Sequence, residues 1–196
     1  MFLYTKENAL GLEFCNGFVQ TFEASEEKKP GTLYGPNGLD TKAGKKSTDI
    51  TFDPHYLEKP EWNPLLTNLI TVLEKGLSDY LLRHKVAMDK MDACAISPHF
   101  NLQRYLPGEG FSSWHCERAT IKHSNRLLVW MVYLNTVTDR GETEFYHQHH
   151  FEHPVAGKLV IWPSDWMYLH RGIVSPTESK YILTGWFNQL DRPQTN

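Results

Sequence analysis

From about residue 95 the chain breaks into short β-prone runs: HFNLQRYL, FSSWHCE, RLLVWMVYLN, TEFYH, GKLVIWP, WMYLH and KYILTGWF, most of them separated by Gly, Pro, Asn or Asp. Runs of this length, rich in Val, Ile, Tyr, Phe and Trp, cannot bury a face alone and must pair into sheets. Many short strands after helices predict a sandwich or barrel with helices on one side, and an eight-stranded double-sheet jelly roll fits the pattern well. The expected core spans residues 95–190.

The first 94 residues have a different texture. In NALGLEFCNGFVQTFE (8–23) the residues Leu12, Cys15, Val19 and Phe22 recur at helical spacing. In EWNPLLTNLITVLEKGLSDYLLRH (61–84) the same spacing runs through Leu66, Leu69, Ile70, Leu73, Leu77 and Leu81. Apolar residues three and four apart line one face of a helix. Residues 24–49 lack any hydrophobic period and are rich in Gly, Pro, Lys and Ser, which predicts a mobile loop and a candidate lid over a site. The predicted class is mainly β with supporting helices, and 196 residues are enough for a single domain, 1–196.

Bulk charge narrows the partners. Twenty Lys plus Arg against 23 Asp plus Glu leave a net charge of −3, so neither nucleic acid nor an anionic membrane is expected. No stretch approaches the roughly 18 apolar residues of a membrane span, and the N-terminus lacks the pattern of a signal peptide. Cys15, Cys94 and Cys116 are an odd, widely spaced set without a CxxC pair. They point to a reducing compartment, and a cytoplasmic location is expected.

The chemistry-bearing residues cluster in the β-rich part. His115-Cys116-Glu117 ends a β-like run, where residues i and i+2 share a face. A third ligand from a distant strand would complete two histidines and a carboxylate, the set that occupies one face of an octahedral ion and leaves three positions open. His170 closes DWMYLH, and Lys180 opens KYILTGWF ten positions later, so a short turn is expected to bring two neighbouring antiparallel strands together with both side chains facing one cavity. A compact ammonium group there would pair with a carboxylate. If Lys180 faces inward, so do Ile182, Thr184 and Trp186; in NLQRY, Tyr105 brings Asn101 and Gln103 to the same face; Tyr133 is in phase with Met131 and Val129.

These segments, from NLQRYLPGEGFSSWHCE through RLLVWMVYLN, GETEF and PVAGKLVIWP to HRGIVSPTESKYILTGWF, resemble the 2-oxoglutarate/Fe(II) oxygenases, and within them the prolyl 4-hydroxylase-like branch. The Cys15 helix and Lys46-Ser47-Thr48 also look like that branch. The resemblance implies a double-stranded β-helix, with His115, Glu117 and His170 binding iron and Lys180 pairing with the distal carboxylate of 2-oxoglutarate, helped by Tyr105, Tyr133 and Thr184. It implies a dioxygenase that uses Fe(II), 2-oxoglutarate and O₂, with ascorbate as an accessory. The expected reaction is hydroxylation of a peptidyl residue, foremost proline, with release of succinate and CO₂. A free amino acid or small metabolite is the alternative substrate, and a non-catalytic jelly-roll binding module the alternative from another class. Glu117 departs from the Asp usual in this branch, lengthening the ligand by one methylene.

Other groups have plainer expectations. His147, His149, His150 and His153 could form a second metal site but suit a solvated hairpin connection better. His123 and Arg126 are expected in an exposed loop at the site's mouth, and Trp114, Trp130, Trp162 and Trp166 in core or rim; Arg118, directly after the metal pair, could reach substrate but is more simply a surface residue.

Overall fold

A computed structural model describes residues 1–35, 38–40 and 44–191, with the side chains of 33–35 and 38–40 left aside. The elements in chain order are β1 (Tyr4–Lys6), α1 (Leu12–Ala24), β2 (Lys29–Pro30), β3 (Leu33–Gly35), β4 (Gly38–Asp40), β5 (Lys45–Lys46) and β6 (Thr48–Phe52). Then come α2 (Asn63–Arg83), α3 (Lys85–Met88), β7 (Cys94–Ile96), β8 (Phe100–Tyr105), β9 (Gly110–Phe111) and β10 (Arg126–Tyr133). The chain ends through β11 (Thr143–Phe145), β12 (His150–Glu152), β13 (Leu159–Pro163), β14 (His170–Gly172) and β15 (Lys180–Gln189).

Two antiparallel sheets carry the architecture. The major sheet runs β1-β13-β10-β15-β8-β6-β2, with β7 beside the end of β15, and the minor sheet runs β12-β11-β14. They face one another as a jelly roll, the double-stranded β-helix. One face of the major sheet, with Leu102, Leu128, Trp130, Val132, Leu183 and Phe187, packs on Phe18 and Phe22 of α1 and on Leu66, Leu69 and Leu73 of α2. The other face looks into the space between the sheets, where Tyr105, Val129, Met131, Tyr133, Val160, Trp162 and Ile182 meet Phe145 of the minor sheet. The period-2 alternation of a strand separates these two sets.

The helical stripes differ from the expected ones in detail. In α1 the buried residues are Cys15, Phe18 and Phe22, while Leu12 is 60% exposed. In α2 the stripe continues through Gly76 and Tyr80 rather than Leu77 and Leu81. Gly76 sits where the helix touches the sheet: a Cβ there would lie 2.5 Å from Leu159 Cδ2. The close approach selects a residue that a hydrophobic pattern cannot register.

The stretch 24–49 is not featureless. Lys29–Pro30 adds to the edge of β6, Lys45–Lys46 pairs with Gly110–Phe111, and Leu33–Gly35 pairs with Gly38–Asp40. Strands of two or three residues are too short to show a period, so they leave no trace in the pattern. Residues 36–37 and 41–43 of the expected loop lie outside the described residues.

Candidate active site

The segment before His115 is irregular rather than a strand. Only Gly110–Phe111 is paired, and His115 then joins His170 in an isolated antiparallel bridge. Each histidine donates its backbone N–H to the other's carbonyl, both at 3.0 Å. The expected strand ahead of His170 is also absent: Trp166–Tyr168 is a short 3-10 turn, and His170 begins β14 instead of ending a run. His170 and Lys180 therefore do not sit on paired neighbours. β14 belongs to the minor sheet and β15 to the major one, and the two residues face the same cavity from opposite walls.

His115, Glu117 and His170 each present one ligand atom, all within 4.8 Å of one another. Glu117 Oε1 lies 3.6 Å from His115 Nε2 and 3.8 Å from His170 Nε2. The Nδ1 of His115 lies 2.9 Å from Ser113 O, and the Nδ1 of His170 2.9 Å from Tyr168 O. A carbonyl can only accept, so both rings carry their proton on Nδ1 and turn the Nε2 lone pair inward, as metal-bound histidines require. Phe111 stacks on the His115 ring at 3.7 Å and 12°. Trp162 and Phe145 hold His170 edge-on and tilted.

The charges suit a cation. Burial pushes Glu117 up, but its interactions with His115, His170 and the Arg126 guanidinium outweigh it and hold the carboxyl well below the usual range. Burial, then the neighbouring His115, pushes His170 down to about 3, so it is neutral and able to ligate. The second carboxylate oxygen of Glu117 accepts from Arg126 Nη1 at 3.1 Å and from Trp186 Nε1 at 3.0 Å. Arg126 is thus not in an exposed loop; it opens β10, its guanidinium 3.4 Å from the centroid of the Trp186 ring. His123, in the short 3-10 turn Ile121–His123, does line the cavity mouth, whereas Arg118 is exposed and outside the lining.

Lys180 is buried on β15, opposite Tyr105 of β8, and donates to Gly141 O at 2.7 Å. Burial pushes its ammonium down to about 8, the nearby Glu142 resisting. Its Nζ lies 5.4 Å from the centroid of the Tyr105 ring. The Tyr105 hydroxyl donates to Gln103 Oε1 at 2.7 Å. Thr184 lines the cavity but directs its hydroxyl to Trp130 O at 3.2 Å. Tyr133 does not line the cavity: its hydroxyl donates to Glu152 O at 3.2 Å and meets Thr143 Oγ1 at 2.8 Å. Since Tyr133 has one proton to give, Thr143 donates to it, and Thr143 is the residue that reaches the cavity wall. Its signal was present in the alternation of Gly141-x-Thr143-x-Phe145.

The cavity measures about 1330 Å³ and extends from this inner pole to a polar end formed by Lys45, Asp49, Thr51 and Asn101. There Lys45 Nζ pairs with Asp49 Oδ2 at 2.7 Å, both buried, and Gln103 Nε2 donates to the same oxygen at 3.4 Å. Asp49 Oδ1 has no partner among the described residues. The stretch 24–49 hid this pair from view, since nothing in it fixed which residues face inward.

The remaining groups settle simply. His147, His149 and His153 are exposed around a turn, and His150 pairs with Glu152 at 3.3 Å. Among the described residues only His115, Glu117 and His170 form a group able to hold a metal ion. Trp130 and Trp162 are core, Trp114 lines the cavity, and Trp166 is 66% exposed. No described helix is long and apolar enough to cross a membrane.

Comparison with known proteins agrees with this geometry. Residues 100–188 match the model of the 2OG-Fe(II) oxygenase superfamily. A viral collagen prolyl hydroxylase from Paramecium bursaria chlorella virus-1 superposes with a TM-score of 0.67 at 16% identity, over 97% of each chain. A Pseudomonas putida prolyl-4-hydroxylase gives 0.68 at 17% identity, over 96% of this chain and 93% of the other. A Trichoplax adhaerens prolyl hydroxylase, solved with a peptide of the hypoxia-inducible factor oxygen degradation domain, gives 0.74 at 14% identity, over 95% and 83%. No curated protein matches. Through residues 100–188 the chain matches the 2OG-Fe(II) oxygenase superfamily, the dioxygenases that work with Fe(II), 2-oxoglutarate and O₂, and as a whole it has the fold of these prolyl hydroxylases.

Proposed function

We propose that this protein hydroxylates a peptidyl residue, with proline as the target, and that His115, Glu117 and His170 hold the iron. One observation carries the reading: two imidazoles and one carboxylate converge within 4.8 Å at the pole of a cavity whose opposite wall bears a buried lysine. The donor set fits the ion, since two nitrogens and one oxygen on one side leave three positions for ligands from the cavity. When bound, iron and 2-oxoglutarate supply oxidative decarboxylation to succinate and CO₂ coupled to insertion of oxygen into a C–H bond.

The protein's share is placement. Lys180 takes the distal carboxylate of 2-oxoglutarate, and Tyr105 forms the wall beside it. Thr143 offers its Oγ1 at the same wall, held there by Tyr133, which acts one step removed from the cosubstrate. Thr184 contributes shape, because its hydroxyl is committed to Trp130 O. Phe111, Trp162 and Ile182 line the cavity and keep water from the reacting centre.

A peptide is favoured because the cavity exceeds the ~300–1,000 Å³ of typical small-molecule pockets and runs well past the metal pole. A free amino acid is the second reading, and the polar end of the cavity, with the buried Lys45–Asp49 pair beside Thr51 and Asn101, favours it. Three unpaired cysteines support a cytoplasmic location. The test is incubation with Fe(II), ascorbate, 2-oxoglutarate and either proline-containing peptides or free amino acids, followed by mass spectrometry. A peptide product heavier by one oxygen supports the first reading and an oxygenated amino acid the second. No metal-dependent succinate with any candidate substrate would favour a binding module.

A further inference from the structure

We propose that Arg126 and Trp186 form a brace that holds Glu117 to a single ligand oxygen, and that this brace is what lets a glutamate serve where a shorter carboxylate would otherwise be needed. The inference rests on the assignment of His115, Glu117 and His170 as the metal ligands. Three contacts carry it. Arg126 Nη1 donates to Glu117 Oε2 at 3.1 Å and to the backbone carbonyl of Glu117, also at 3.1 Å. Trp186 Nε1 donates to the same Oε2 at 3.0 Å. The guanidinium lies 3.4 Å from the Trp186 ring centroid, so the two donors fix each other as well as the carboxylate. Oε2 is saturated from the side away from the histidines, and only Oε1 faces His115 and His170.

The consequence is a matter of counting positions. Two imidazoles and one carboxylate oxygen leave three places on an octahedral ion. A 2-oxo acid chelate fills two of them, and the last is needed for O₂. A carboxylate that swung round to bind through both oxygens would remove that last place. Glutamate, with one more rotatable bond than aspartate, is freer to do so and has more side-chain entropy to lose on binding. A brace that orders the side chain and occupies Oε2 removes both problems. Its donors come from the same end of the major-sheet strand pair that floors the site: Arg126 opens β10 and Trp186 lies near the close of the antiparallel neighbour β15.

Arg126 and Trp186 are positioning residues, so the test reads metal binding directly. Mn(II), which favours the same octahedral nitrogen and oxygen set, is titrated into metal-free protein and free Mn(II) is followed by its paramagnetic resonance signal. Trp186→Phe keeps an aromatic face for Arg126, though a smaller one, and removes the N–H donor. It is expected to weaken Mn(II) binding about 10–100-fold, the usual cost of an outer hydrogen-bond partner, while the metal-free melting temperature stays put. Should that variant fold poorly, Arg126→Lys, which keeps the charge and loses the planar stack, is expected to weaken binding in the same direction. In a Glu117→Asp background the shorter side chain cannot span brace and ion, so Trp186→Phe is expected to add less than about threefold. Mn(II) binding that is unchanged in Trp186→Phe, or an undiminished effect in the Glu117→Asp background, overturns the brace while leaving the ligand set intact. Mn(II) binding that survives His170→Ala overturns the ligand set itself, and the brace with it.

Discussion

The two faces of the major sheet are built from the same strands and do opposite work. On β15, Leu183 and Phe187 are fully buried against the helices, while Lys180, Thr184 and Trp186, on the alternate positions, line the cavity. On β8, Leu102 packs on the helix side, whereas Asn101 and Gln103 form a polar stripe. The helix face has the close apolar packing that stabilises the fold, and Gly185 shows how tight it is: a Cβ there would lie 2.6 Å from both Phe100 Cβ and Trp130 Cζ2. The cavity face instead buries a lysine, an Asp–Lys pair and several hydroxyls, each of which costs free energy unless partnered. Stability and chemistry are thus separated by the pleat, one residue apart, and substitutions on the two faces should fail in different ways.

The largest effect expected is at the metal pole. His170→Ala should abolish Mn(II) or Fe(II) binding, a loss well beyond the ~10–100-fold of an outer partner, whereas His149→Ala should leave it unchanged. A titration showing the reverse would move the metal to the surface histidines. Next comes the helix face: Leu183→Ala should cost ~2–5 kcal/mol of stability in a denaturant melt, with metal affinity of the folded fraction intact. Parallel losses in both measurements would show that the faces are not separable. Lys180→Met, on the cavity face, should weaken 2-oxoglutarate by ~2–5 kcal/mol in calorimetry and leave Mn(II) affinity alone.

A gentler probe of the same lysine is pH. Its pKa in the free protein is lowered to about 8, so the cation is present below that value and is lost above it. The dissociation constant for 2-oxoglutarate should be flat below pH ~8 and rise about tenfold per unit above, and Lys180→Arg, always charged, should flatten the profile. The smallest effect is expected at Tyr133→Phe. Its hydroxyl serves Thr143 and Glu152 O inside the protein, so the variant should lose about 1 kcal/mol of stability while 2-oxoglutarate affinity barely moves. A loss of affinity as large as that of Lys180→Met would place Tyr133 in the cosubstrate's direct contact.

Strand phase was the legible part of this molecule. Alternation along NLQRY and KYILTGWF put Tyr105, Gln103, Lys180 and Thr184 on one face, and the register of β8 with β15 pairs Tyr105 with Lys180 and Thr184 with Asn101. Sheet membership was not legible, because pairing is set by partners far away in the chain. Ten residues separate His170 from Lys180, which suggested neighbouring strands, yet they lie in different sheets. Arg126 was hidden for a related reason: its role depends on where β10 begins relative to the irregular segment carrying Glu117. Lys45 and Asp49 were hidden because two-residue strands have no period to read.

The bridge between His115 and His170 has a bearing on how the site is filled. Because each histidine's amide is tied to the other's carbonyl, the two rings are brought together by the backbone and need no ion to find one another. Loading then demands little reordering of the chain, so uptake should be limited by dehydration of the ion rather than by folding of the site. The same pair of amides supplies a native clock: their hydrogen exchange should slow on metal loading, and by no more than the ion steadies that one bridge.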